Sequence, residues 1–143
     1  ILGTSAFEDD DFLDNAINEN PTQIAIGIDI KDNLVAIKGW GSKIKMGLKE
    51  ALAKFRKKNI DLIVLTSVDR DGTLEGYNVE LVNKYLKNTN IPLIISGGIK
   101  NENDLKSISK IVNQSVYGVI LGKSIYEDKL DLKKCIEVYQ DVS

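Results

Sequence analysis

Two glycine-bearing segments, Ser96-Gly97-Gly98-Ile99 and Gly122-Lys123-Ser124, each follow an apolar run of strand length. A glycine at the end of a strand lets backbone N–H groups approach an anion, and the start of a following helix adds a favourable dipole. Together they read as a phosphate site, with the backbone ranked above the Lys123 ammonium, although Gly97-Gly98 would also suit a tight turn. Gly3-Thr4-Ser5 copies the second segment near the other end of the chain. Two such elements imply a small ligand phosphorylated at both ends. Between them stand groups able to move protons. Asp29 closes the apolar run GIDI, Thr66 closes DLIVLT, and Asp71 sits in an Asp-Gly turn. The chain has no histidine, so proton transfer falls to carboxylates, lysines, tyrosines or hydroxyls. Trp40, the only tryptophan, offers a flat face on which a heterocycle could stack. Asp69 and Arg70 read as a surface ion pair.

These residues need elements to hold them, and the hydropathy pattern supplies a consistent set. Apolar, β-branched runs at 23–30, 34–37, 61–68, 92–96 and 116–121 read as strands. Helical spacing marks about 43–58, with Leu48, Leu52 and Phe55 on one face, then 78–88 capped by Asn78, 101–111, and 131–141 capped by Asp131. The strands are apolar rather than alternating, so both faces are expected to be buried in a parallel βα sheet.

An internal repeat selects among parallel architectures. Residues 2–10, LGTSAFEDD, and 121–129, LGKSIYEDK, match in register at Leu, Gly, Ser, Glu and Asp, and Ile1 matches Ile120. A spacing of this size is that of a duplicated half of a (β/α)8 TIM barrel, four βα units per half. Residues 1–143 are then one domain, a C-terminal half-barrel holding strands five to eight plus the end of strand four. Strands one to three and most of strand four are missing, and Ile1 in place of Met suits a piece of a longer polypeptide. The open edges of such a half-barrel invite pairing with a second copy.

Composition excludes several other classes. The 143 residues are 43% hydrophobic and 28% charged, with a formal charge of −2. That balance argues against nucleic acid or an anionic membrane as the partner. The apolar runs are far short of the roughly 20 residues a membrane span requires, and no signal peptide is visible. Cys135 is alone, which suits a reducing, cytoplasmic setting, and its expected place is the buried side of the last helix.

The segments ILGT, GIDIKDNLVAIKGW, TSVDRDGTLEGYN, IISGGIK and VILGKSIYE, taken in order, resemble the phosphoribosylformimino-aminoimidazole carboxamide ribotide isomerases. The resemblance covers the whole chain. It implies an Amadori rearrangement of an aminoaldose to an aminoketose in histidine biosynthesis, without metal or organic cofactor. It casts Asp29 as general acid, Thr66 as the hydroxyl supporting it, and Asp71 as a carboxylate that orders the site. Gly97, Gly98, Gly122, Lys123 and Ser124 correspond to one phosphate site, Gly3 and Thr4 to the edge of the other, and Trp40 to a stacking aromatic. The family's other catalytic aspartate ends strand one, which this sequence does not contain, so these residues alone are expected to be inactive. The sister cyclase of imidazole glycerol phosphate synthase shares TSVDRDGT, but Gly39-Trp40, SGGIK and Gly122-Lys123-Ser124 with Tyr126-Glu127 favour the isomerase. A half-barrel that binds phosphosugars or dimerises without chemistry is the remaining alternative.

Overall fold

The computed structural model describes residues 1–39, 41–111 and 115–140. Its centre is a sheet of β1 (Ile26–Lys31), β2 (Leu34–Ile37), β3 (Ser42–Lys43), β4 (Ile63–Ser67), β5 (Leu93–Ser96) and β6 (Val116–Val119). The strand order is β3-β2-β1-β4-β5-β6. The strands β1, β4, β5 and β6 run parallel, while β2 and β3 fold back antiparallel as an extension of β1. Connections between the parallel strands carry α3 (Leu48–Lys57), α4 (Val79–Leu86) and α5 (Glu102–Ser109). Two helices, α1 (Thr4–Glu8) and α2 (Asp10–Glu19), precede β1, and α6 (Lys123–Tyr126) and α7 (Leu132–Tyr139) follow β6. The fold is α/β, four parallel βα units forming a half-barrel.

Local chemistry accounts for most boundaries. The β1–β2 turn uses Asp32 and Asn33 at φ 50° and 65°, the pair of left-handed residues that a two-residue hairpin requires. Helix α3 buries Leu48, Ala51, Leu52 and Phe55 at positions i, i+3, i+4 and i+7. The Gly47 N–H donates to the Glu50 carboxylate at 3.0 Å, and Lys54, Arg56 and Lys57 crowd the last turn, where the helix dipole favours cations. The helix expected from about residue 43 starts only at Leu48, because Ser42–Lys43 pair with β2 instead. Asn78, Asn101 and Asp131 cap α4, α5 and α7 through their side chains.

The expectation that both faces of the sheet are buried holds throughout one face and only in places on the other, where Val64 and Ala36 are buried. In β1, Ile26, Ile28 and Ile30 are buried, whereas Gly27, Asp29 and Lys31 are half-buried. In β5 the alternation is the same, with Leu93 and Ile95 buried and Ile94 and Ser96 half-buried. The buried set packs with apolar residues of α3, α4 and α5 in one core. Alternation is set by the pleat, so one layer of helices can bury only every second side chain.

The largest side chain wholly inside this core is Tyr85. Its hydroxyl donates to the Ile91 carbonyl at 2.9 Å, fixing the approach to β5, and burial raises the phenol's pKa. Tyr85→Phe removes the donor and leaves a carbonyl without that partner. We expect it to lower stability by about 1–3 kcal/mol, read as a shift in denaturant midpoint. An unchanged midpoint would mean that water replaces the hydroxyl.

The sequence repeat recurs in the backbone. Gly3 caps α1 at φ −107°, ψ −113°, and Gly122 caps α6 at φ −116°, ψ −104°. Leu2 pairs in parallel with Ile26, the Leu2 N–H donating to Ala25 and the Gly27 N–H to Leu2, both at 2.8 Å. The end of strand four therefore lies beside strand five, where the repeat places it. Surroundings differ between the copies. Phe7 meets the Phe55 ring edge-on, centroids 5.1 Å apart, while its counterpart Tyr126 is 87% exposed.

Candidate active site

Toward its C-terminal end each of the first three parallel strands carries a polar residue on the face opposite the fully buried one. Asp29 is in register with Thr66, and Thr66 with Ser96. Residues in register on parallel strands share a face, and neighbouring strands are about 4.8 Å apart. Asp29 and Thr66 are therefore immediate neighbours, with Ser96 one strand further. All three point away from the side that carries Ile28, Leu65 and Ile95, which are buried under the helices.

Ser96 also forms part of a cleft of about 60 Å³ built from three loops. Asp71 and Gly72 come from the loop after β4, Gly97 and Gly98 from the loop after β5, and Gly122 and Lys123 from the end of β6. The structure thus brings together most of the residues read as one phosphate site. Asp29 and Thr66 continue the same row at the cleft's side rather than lining it.

The glycines serve two different ends. Gly97 and Gly98 have φ of 91° and 85°, and both are packed. A Cβ on Gly97 would stand 2.6 Å from the Ser67 carbonyl oxygen, and one on Gly98 would stand 2.6 Å from that of Gly76. The Gly98 carbonyl accepts the Gly76 N–H at 3.0 Å, drawing the β5 loop flush against the β4 loop. At Gly3 and Gly122, by contrast, nothing lies within 4 Å of where a Cβ would be. Their backbone is open to an incoming group.

The loop after β4 is held from several sides. Ser67 O accepts the N–H of Arg70 and of Asp71, at 3.1 and 2.9 Å. The Arg70 guanidinium reaches the Glu75 carboxylate at 3.2 Å, and the Asp69 carboxylate accepts the Asp32 N–H at 3.1 Å. The expected Asp69–Arg70 pair is therefore replaced. Neighbours in a tight turn point apart, and each finds a partner further along the chain or on the hairpin. Asp71 itself is exposed at the cleft.

Two further expectations change in detail. Ser124 is 1% exposed, and its hydroxyl lies buried with no hydrogen-bond partner among the described residues. That hydroxyl faces the interior and not the cleft, because it lies on the inner side of α6. Thr4 Oγ1 accepts the Lys38 N–H at 2.8 Å, so it fastens the β2–β3 turn, although a hydroxyl that accepts one bond keeps its own proton to donate. Gly3 and Thr4 sit at the opposite edge of the sheet from the cleft. Four strand steps separate Leu2 from β6, roughly 19 Å measured along the sheet. Trp40 lies outside the described residues.

Sequence reasoning passed over Ser96 as a member of the polar row. The signal was present, since Asp29, Thr66 and Ser96 are each the first hydrophilic side chain after a run of apolar ones. It also passed over Gly72, whose carbonyl accepts from Lys123 Nζ at 3.1 Å. No local pattern marks that contact. Cys135 is buried on α7 as expected, and burial raises its thiol pKa, with the Asp131 and Glu102 carboxylates adding to the shift.

Comparison with known proteins finds relatives of this chain. A family model described as "Histidine biosynthesis protein" matches residues 1–131. A 1-(5-phosphoribosyl)-5-((5-phosphoribosylamino)methylideneamino) imidazole-4-carboxamide isomerase from Clostridium acetobutylicum is 39% identical over 140 residues, covering 98% of this chain and 57% of that protein. Proteins with the same name from Clostridium beijerinckii and Prochlorococcus marinus (strain MIT 9312) are 39% and 37% identical, covering 99% and 96% of this chain. The chain spans about half the length of these relatives, 58% and 54% respectively.

Proposed function

This chain belongs to the histidine biosynthesis protein family, and from that premise we propose that it forms one side of the active site of an aldose–ketose isomerase. The substrate is a ribotide of aminoimidazole carboxamide phosphorylated at both ends, and the reaction is an Amadori rearrangement. The observation that carries the proposal is the row Asp29–Thr66–Ser96, which runs from beside the Gly3 edge to the cleft at Gly98 and Gly122. A separation of roughly 14–19 Å along three or four strand steps suits a ligand held by a phosphate at either end.

The chemistry follows from that placement. Asp29 as general acid gives its proton to the ribose ring oxygen, the C1–O bond breaks, and the nitrogen lone pair forms a Schiff base. A base then removes the C2 proton to leave an enolamine. Return of a proton to C1, with loss of the hydroxyl proton at C2, yields the aminoketose. Thr66, one strand away, orients the Asp29 carboxyl, and Asp71 orders the cleft side. The backbone of Gly97, Gly98, Gly122 and Lys123 binds one phosphate, Gly3 and Thr4 border the other, and Trp40 stacks on the heterocycle. Electrostatics near the anion come from oriented amides more than from α6, whose four residues make a weak dipole.

The named relatives favour the isomerase over the cyclase. No helix among the described residues is long and apolar enough to cross a membrane, and a buried, unpaired Cys135 suits the cytoplasm, where we place the reaction. The test is an assay of ribotide isomerisation by a polypeptide of the relatives' full length carrying this sequence, run beside the ammonia-dependent cyclase reaction. Ketose formation is expected. Cyclisation without isomerisation would sink the proposal.

A further inference from the structure

The residue that follows the cap glycine is held by a neighbouring loop in both copies of the repeat. After Gly3, Thr4 Oγ1 accepts the N–H of Lys38, which opens the β2–β3 turn. After Gly122, Lys123 Nζ donates to the carbonyl of Gly72 at 3.1 Å. The side chains differ and the polarity of the bond is reversed, yet each ties the start of a short helix to backbone in a loop that follows another strand. Each tie spans a wide gap in sequence, 34 residues for Thr4 and 51 for Lys123.

We propose that this position is a latch, and that Lys123 is a positioning residue for the loop carrying Asp71 rather than the phosphate's own ligand. The phosphate part rests on the function proposed above; the latch itself does not. Lys123 is already committed on two sides, with the Gly72 carbonyl at 3.1 Å and the Glu127 carboxylate at 3.4 Å. The carboxylate offsets its charge, and the carbonyl turns the ammonium toward the β4 loop. Gly72 adjoins Asp71, and both line the cleft with Lys123. Removing the tether therefore frees the Asp71 side of the cleft while leaving the glycine backbone in place. The lysine is half exposed, so the bond contributes little to global stability. Its effect is local order.

Amide exchange tests this directly. The Thr73 N–H donates to Arg70 O and the Gly76 N–H to Gly98 O, so both report on the loop. In Lys123→Met, exchange at Thr73 and Gly76 is expected to quicken about tenfold, with amides of β1 and β4 unchanged. Lys123→Arg, which can still donate to Gly72, is expected to restore protection. Likewise Thr4→Val, but not Thr4→Ser, is expected to expose the Lys38 amide. Inorganic phosphate, titrated against the shifts of Gly98 and Gly122, is expected to bind Lys123→Met within about threefold of the parent. In a polypeptide that turns over the ribotide, kcat falls while KM is held. Unchanged exchange at Thr73 and Gly76 would overturn the latch, and so would Arg failing to rescue. A phosphate affinity weakened tenfold with the loop unaltered would make Lys123 a ligand instead. Absence of phosphate binding by the parent would count against the proposed function and leave the latch to be decided by exchange alone.

Discussion

Asp29→Asn, in a polypeptide of the relatives' full length carrying this sequence, is expected to lower kcat about a hundred- to ten-thousandfold, the usual worth of a positioned proton-transfer group. The substitution keeps the shape of the side chain and its place in register with Thr66, but an amide can neither give nor take the proton that opens the ribose ring. Substrate affinity should change little, because the two phosphate elements lie on other strands and loops and carry most of the binding. Steady-state kinetics with the ribotide separates the two effects: kcat and kcat/KM fall together while KM stays within a few-fold. Near-parental kcat would remove Asp29 from the catalytic role. A large rise in KM alone would recast it as a binding group.

The second large effect is on the architecture of the cleft. Gly98→Ala places a methyl group 2.6 Å from the Gly76 carbonyl oxygen and 2.8 Å from Arg70 Cβ, at a residue with φ 85°. Neither obstacle is a flexible chain end, so backbone must move. A non-glycine residue in the left-handed region costs about 1–2 kcal/mol. Overpacking adds about 1–3 kcal/mol, for a combined loss of about 2–5 kcal/mol in unfolding free energy. The Gly76–Gly98 hydrogen bond is strained at the same time, so the β4 and β5 loops should part and the cleft should lose its wall. Gly122→Ala provides the contrast. Nothing lies within 4 Å of its new methyl, so the clash is absent and stability should fall less than in Gly98→Ala, while phosphate affinity falls. Denaturation paired with phosphate titration checks both. If the two alanine variants behaved alike, the division into packing glycines and open glycines would be wrong.

Much of this was legible in the residues alone, and the reason is that each legible feature is local. The helix has a period of 3.6, so LKEALAKF declares its buried face without reference to anything distant, whereas QIAIGIDI, apolar on both sides of its pleat, declares a strand but not which side is covered. The Asn and Asp caps and the glycine pair follow from the same short-range sterics and hydrogen bonding. The repeat of LGTSAFEDD in LGKSIYEDK is likewise an identity of local chemistry, and Gly3 and Gly122 adopt nearly the same torsions.

What the tertiary structure alone decided is which of these local pieces touch. Asp69 finds the Asp32 amide rather than Arg70, and residues 42–43 join a hairpin rather than a helix. Ser124 turns inward while Lys123 beside it spans to Gly72, and Asp29 comes to share a row with Thr66 and Ser96. Every one of these depends on the register between strands or the approach of two loops. Register is set by the summed packing of a whole core, and no periodicity within a single segment contains it.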